Sequence, residues 1–165
     1  MSIRWWTTMV AATLISAAAA VSADEWNHMV PGPTLPAGSY VFQLADASVS
    51  RNLVRITNEA TGEQMVLTQA VPTKRTDASG DIVLQFNPTA GSALPALKAW
   101  FYPGSIYGYE FVYPDEQARQ IAERSKTVVL SIDIPGTDLE KGVLRTYDAS
   151  GPATAWQADA ATMRE

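Results

Sequence analysis

Short stretches in which apolar and polar residues alternate recur from residue 39 onward, with the two-residue period of strands that bury one face. Residues 39–45 set Tyr40, Phe42 and Leu44 on one side. Residues 53–58 and 64–71 flank the loop Glu59-Ala60-Thr61-Gly62-Glu63, which has glycine at its tight end, and together they predict a hairpin. After a polar loop over 72–80, residues 81–87 place Ile82, Leu84 and Phe86 opposite Val83 and Gln85. A further loop covers 89–95. The densest pattern comes next: seven of the fifteen aromatic residues lie between Trp100 and Tyr113. Pro103-Gly104 and Gly108 divide this stretch into strand, turn and strand, a second predicted hairpin.

The convincing helical period in the rest of the chain falls on 114–125. Pro114 suits a first turn, Asp115 and Glu116 complement the positive end of the helix dipole, and Arg124 and Lys126 stand at the other end. Ala118, Ile121, Ala122 and Ser125 form a narrow packing stripe, and Asp115 is spaced to pair with Arg119. Alternation resumes over 127–134, turns at Pro135-Gly136, and returns over 143–147. About eight short strands with regular turn signals and one short helix predict an all-β fold, an antiparallel β-sandwich or small barrel. No repeated strand and crossover-helix pattern is present to build a parallel sheet.

The flanks read differently. Residues 1–23 have the three parts of a secretory signal peptide: Arg4, an uncharged run from Met9 to Val21, and Val21-Ser22-Ala23 before Asp24. Residues 24–37 form an arm with Pro31, Pro33 and Pro36, short of free amide donors and expected to run extended. A single β domain is expected over 38–148, and 149–165 is expected to be a mobile tail. The protein is therefore expected to be exported, periplasmic or extracellular, with no transmembrane segment once the leader is cut.

Composition narrows the partners. The 165 residues carry a formal charge of −5, and loss of Arg4 with the leader leaves eleven bases against seventeen acids. Lysines and arginines are scattered, apart from Lys74-Arg75, so neither nucleic acid nor an anionic membrane surface is an expected partner. There is no cysteine, so no disulfide or thiolate site can form. The core alone must hold the fold.

The stretches Leu35-Pro-Ala-Gly-Ser-Tyr-Val-Phe-Gln-Leu44, Leu97-Lys-Ala-Trp-Phe-Tyr-Pro-Gly104, Tyr107-Gly-Tyr-Glu-Phe-Val-Tyr-Pro114 and Gly136-Thr-Asp-Leu-Glu-Lys-Gly142 resemble those of a group of exported, uncharacterised bacterial proteins. The resemblance implies export and a shared compact fold. It brings no established activity, cofactor or catalytic residue.

Reaction chemistry is sparse. His28 is the sole histidine and lies in the arm, where it is expected to be exposed; no cofactor or metal is expected. Glycine-rich phosphate loops and a Gly-x-Ser-x-Gly elbow are missing from the sequence. Paired carboxylates drawn from Glu110, Asp133, Asp138 and Glu140 would be the one enzymatic route, that of a glycosidase. The Asp133–Glu140 stretch lacks the ligand alternation of a calcium loop.

The aromatic hairpin admits two registers, and a slip of one residue exchanges its faces. With Tyr102 opposite Gly108, Ala99, Phe101, Tyr109, Phe111 and Tyr113 share one face, while Lys98, Trp100, Tyr102, Glu110 and Val112 share the other. With Tyr102 opposite Tyr107, the rings Trp100, Tyr102, Tyr107, Tyr109, Phe111 and Tyr113 gather with Lys98, and Glu110 lies behind with Ala99, Phe101 and Val112. The first separates apolar from mixed residues better and is the one expected. It makes Trp100, Tyr102, Lys98 and Glu110 a half-wet candidate binding face, able to stack on a sugar ring or on a partner's side chain. The expected function is a non-catalytic exported binding or interaction domain for an envelope protein or polysaccharide. An exported hydrolase using paired carboxylates and a structural envelope-assembly protein that pairs its edge strands are the alternatives.

Overall fold

The computed structural model describes residues 19–23, 27–46, 50–89, 93–133 and 143–155. The alternating stretches become long antiparallel neighbours, because each has one apolar side to bury. β4 (Gly38–Asp46), β5 (Ser50–Asn58) and β6 (Gln64–Lys74) form a meander. Its inward residues Tyr40, Phe42, Val54, Ile56, Val66 and Ala70 are all buried. β6 then pairs with β9 (Tyr107–Phe111), and β9 with β8 (Ala96–Phe101), which carries β7 (Val83–Asn87) beside it. β1 (Ala19–Ala23) lies on the free edge of β4, within the segment expected to be the leader. The result is a nine-stranded mixed sheet curled into a half-barrel around the larger of two apolar clusters, the smaller being Val71, Val112 and Leu130. The all-β expectation holds, with an open barrel as its form.

The arm is extended, as its prolines require, yet it is fastened to the sheet. β2 (His28–Met29) pairs with β3 (Thr34–Leu35) and, in parallel, with the start of β8. Val30 and Leu35 are buried in the core. The Met29 amide donates to the Pro95 carbonyl at 2.9 Å, and the Gln117 side chain reaches the arm from the helix, accepting from the Gly32 amide at 2.9 Å and donating to the Val30 carbonyl at 3.1 Å.

The chain leaves the half-barrel after Phe111 and enters a second sheet of β10 (Tyr113–Pro114), β11 (Val129–Asp133), β12 (Val143–Asp148) and β13 (Gly151–Ala155). β10 and β11 are parallel, a pairing that needs a crossover. α1 (Asp115–Ser125) supplies it, so one strand–helix–strand unit exists inside an architecture whose other pairings, apart from the short β2–β8 contact, are antiparallel. The helix begins after Pro114 and ends at Lys126, which takes the left-handed conformation (φ 56°) usually given to glycine and donates its amide to the Ala122 carbonyl. Ala118, Ile121 and Ala122 are buried, as their spacing predicts.

Three local expectations are corrected. Arg119 does not pair with Asp115: it bonds Glu116 at 2.6 Å and Glu123 at 2.7 Å, while Asp115 turns inward to accept the Ser131 hydroxyl at 2.6 Å, 3.7 Å from Arg145. A carboxylate in the first turn of a helix that packs on a sheet has a nearer donor below it than along the helix. Residues 151–155 of the expected tail pair with β12 as a strand; residues 156–165 lie outside the described residues. The hairpin register is the third.

One phenol ties these parts together. The Tyr113 ring is buried, and its hydroxyl lies 2.6 Å from the Leu97 carbonyl and 3.1 Å from that of Met29, so the second sheet, β8 and the arm meet at one oxygen. Burial pushes the phenol's pKa well above its usual value. Tyr113→Phe removes the donor while leaving the ring, and a buried polar group left unpaired costs roughly 1–3 kcal/mol. A lowered urea midpoint with an unchanged slope is the expected result.

Candidate functional site

The hairpin adopts the register that the pattern disfavours: Ala99 opposes Glu110, Trp100 opposes Tyr109, and Phe101 opposes Gly108. The reason is the glycine. A Cβ at position 108 would come within 2.5 Å of the Phe101 ring and closer still to the Trp100 carbonyl, so only glycine lets β9 lie against β8 here. The far side of the Phe101 ring is open to Arg75, whose guanidinium carbon sits 5.1 Å from the ring centre. Arg75 also donates to the Ser105 carbonyl at 3.0 Å and so fixes the hairpin loop. Reading Gly108 as a place of close approach, rather than as the end of a turn, was the signal available in the sequence.

This register parts the four candidate residues. Trp100 and Tyr102 face the interior of the half-barrel, with ring centres 4.5 Å apart, and Tyr109 and Phe42 complete a ring cluster around Trp100 at 6.1 and 5.8 Å. Trp100 has 0% of its surface exposed. It is core, and it cannot stack on a sugar or on a partner. Its Nε1–H has no hydrogen-bond partner. Tyr102 is half-buried, and burial, with a smaller contribution from Tyr109, raises its pKa to about 12. The phenol therefore stays protonated.

Glu110 lies on the reverse of the sheet, across from Ala99 and Val71. Lys98 is the extra residue of a β-bulge: Gln85 opposes Ala99 and Phe86 opposes Leu97, so Lys98 is skipped. The bulge breaks the alternation and lets Leu97 and Trp100 join the same core although three residues apart. Lys98 remains within electrostatic reach of Glu110. Burial raises the Glu110 carboxyl above its ordinary value, and Lys98 opposes part of that rise. Of the other acids considered for catalysis, Asp138 and Glu140 lie outside the described residues, as does the Asp133 side chain. No cluster of three metal-ligating side chains occurs among the described residues.

A concavity lies elsewhere, at a seam inside the half-barrel between the side chains of β4 and β7. Tyr40 and Phe42 from β4 face Leu84 and Phe86 from β7 across a small apolar cavity of about 20 Å³, with Leu97 beneath and His28, Val30 and Leu35 of the arm at its side. β4 and β7 are not hydrogen-bonded neighbours; side chains alone bridge them. His28 is half-buried here, its ring 5.1 Å from that of Phe86, and not the exposed arm residue the sequence suggests. A cavity of this size holds one small apolar group. Sequence reasoning missed the seam because its residues come from four separate segments, none unusual alone.

Two substitutions distinguish the two faces of the hairpin. Trp100→Ala should cost roughly 3–5 kcal/mol, the cost of emptying a large buried site, read as a fall in the urea midpoint. Glu110→Gln acts in the opposite sense. Because the folded state holds the Glu110 proton to a higher pH than the unfolded chain does, stability declines as pH rises through the raised value. The glutamine variant should therefore be more stable than the parent at neutral pH and no more stable at acidic pH below the ordinary carboxylate range. Comparison with known proteins leaves the fold and the seam to speak for themselves: no family model, no curated protein and no solved structure matches the chain.

Proposed function

We propose that the chain is an exported, non-catalytic interaction domain that holds a small apolar group of an envelope protein in the seam of its half-barrel. The observation that carries this reading is the seam itself. Eight residues from β4, β7, β8 and the arm converge on an opening lined by aliphatic and aromatic side chains. Its apolar lining suits an apolar occupant, and its volume, far below that of a small-molecule site, limits that occupant to one small group. The tripartite leader over 1–23 supports export, as does the resemblance to exported proteins. Sugar stacking at the hairpin loses its support, since Trp100 is enclosed.

The reading can be tested by photo-crosslinking in a host that exports the full-length chain. p-Benzoylphenylalanine placed at position 86, in the seam, should give light-dependent adducts with envelope protein. The same group at position 123, on the exposed helix surface, should give none. Silence at position 86, or equal adducts from both positions, would count against a seam site.

A further inference from the structure

The backbone of β4 reveals which of its groups each neighbour uses. The Glu59 amide donates to the Ser39 carbonyl at 2.9 Å, so Ser39 directs its polar groups toward β5. Successive residues of a strand direct theirs to opposite sides, so Tyr40 and Phe42 point their N–H and C=O groups away from β5. There they stand opposite Val21 and Ala19 of β1. The same two residues supply rings to the seam cavity. One stretch, Tyr40 to Phe42, thus combines an outward ladder edge with an apolar opening.

β1 belongs to the segment read as leader, and the expected cut follows Ala23, its last residue. Cutting there removes the whole strand and leaves the amides and carbonyls of Tyr40 and Phe42 on a bare edge. Such an edge is a template for another strand. We infer that the processed chain receives an extended peptide segment of an envelope protein along the edge of β4, antiparallel to it, and that β1 occupies this site until the leader is removed. The inference rests on the proposed reading of the chain as an exported seam-binding domain and names the form of its partner.

The chemistry of that partner follows from the edge. Residues opposite Tyr40 and Phe42 share the face of those rings, so the partner turns alternate side chains toward the seam. A cavity of about 20 Å³ limits the inserted group to a small apolar one. The main chain must offer free amides at those alternate positions, which excludes proline there. The segment Ala19-Ala-Val-Ser-Ala23 meets each condition in its sequence, being small, uncharged and free of proline. Main-chain bonds would supply affinity and the seam would supply selectivity, as in other cases of strand addition.

The test uses the chain processed by an exporting host, with its mass measured first. A mass that still includes residues 1–23 would overturn the inference. A fluorescent peptide covering residues 16–23 is then titrated into the processed chain and into full chain made without export. Binding to the processed chain alone is expected. N-methylation at Val21, whose amide points at the Tyr40 carbonyl, should weaken binding about tenfold, the effect of losing one backbone hydrogen bond. N-methylation at Ser22, whose amide points away from β4, should leave it unchanged. Equal losses at both positions, or none at either, would point to unspecific adhesion and overturn the inference. So would self-association of the processed chain that the peptide does not reverse. Should the processed chain unfold, the same peptides are scored by return of near-ultraviolet ellipticity from the enclosed Trp100, and no return overturns the inference. Absence of peptide binding with crosslinks still formed at position 86 would end the strand inference and leave the seam reading standing; absence of both would end both.

Discussion

The fold depends on a single buried oxygen being satisfied. The Tyr113 hydroxyl sits where the first sheet, the second sheet and the proline-rich arm converge, and its neighbours Leu97 and Met29 belong to segments far apart in sequence. Inside a core a carbonyl without a partner is expensive, so the three segments are held in one arrangement rather than sliding over a greasy surface. With no disulfide possible, such polar contacts and the packing around them carry the specificity that cross-links supply in many small domains. The Gln117 amide, in the first turn of α1, repeats the device and grips the arm at Val30 and Gly32.

The hairpin illustrates how a local rule yields to a steric one. Segregating apolar from mixed residues favours one register, and the observed register differs by a single residue. Pairing Phe101 with Gly108 allows the two strands to approach where any side chain at 108 would collide with the ring. Glu110 is then drawn under the sheet into a place that raises its pKa, a cost accepted for the close packing of Trp100, Tyr109 and Phe42 on the other side. The bulge at Lys98 completes the adjustment by restoring Leu97 to the core.

What could be read from the chain was whatever depends on neighbours in sequence. The strands over 39–45, 53–58 and 64–71 and the helix after Pro114 follow from alternation, turn residues and dipole charges, and each stands near its expected place. Features set by contacts between distant segments were not legible. His28 is ordinary as an arm residue and becomes part of a cavity only when β7 brings Phe86 beside it. Asp115 looks like half of a helix pair until β11 presents Ser131 from below. Trp100 and Tyr102 were correctly placed together on one face, while Glu110 was assigned to the wrong one, because the sequence does not state which strand will yield.

The pairing of β6 with β9 bears on how the chain folds. β4, β5 and β6 follow one another through short connections, so their contacts close small loops and can form early. Joining Lys74 to Tyr107 instead closes a long intervening segment that includes β7 and β8. The entropy of that closure must be met before its contacts repay it. The meander and the aromatic hairpin, each closed by short connections, can thus form before the long-range step that joins them through β6 and β9. Gly108, which admits the close approach of Phe101 in the finished hairpin, sits on the strand through which that joining is made.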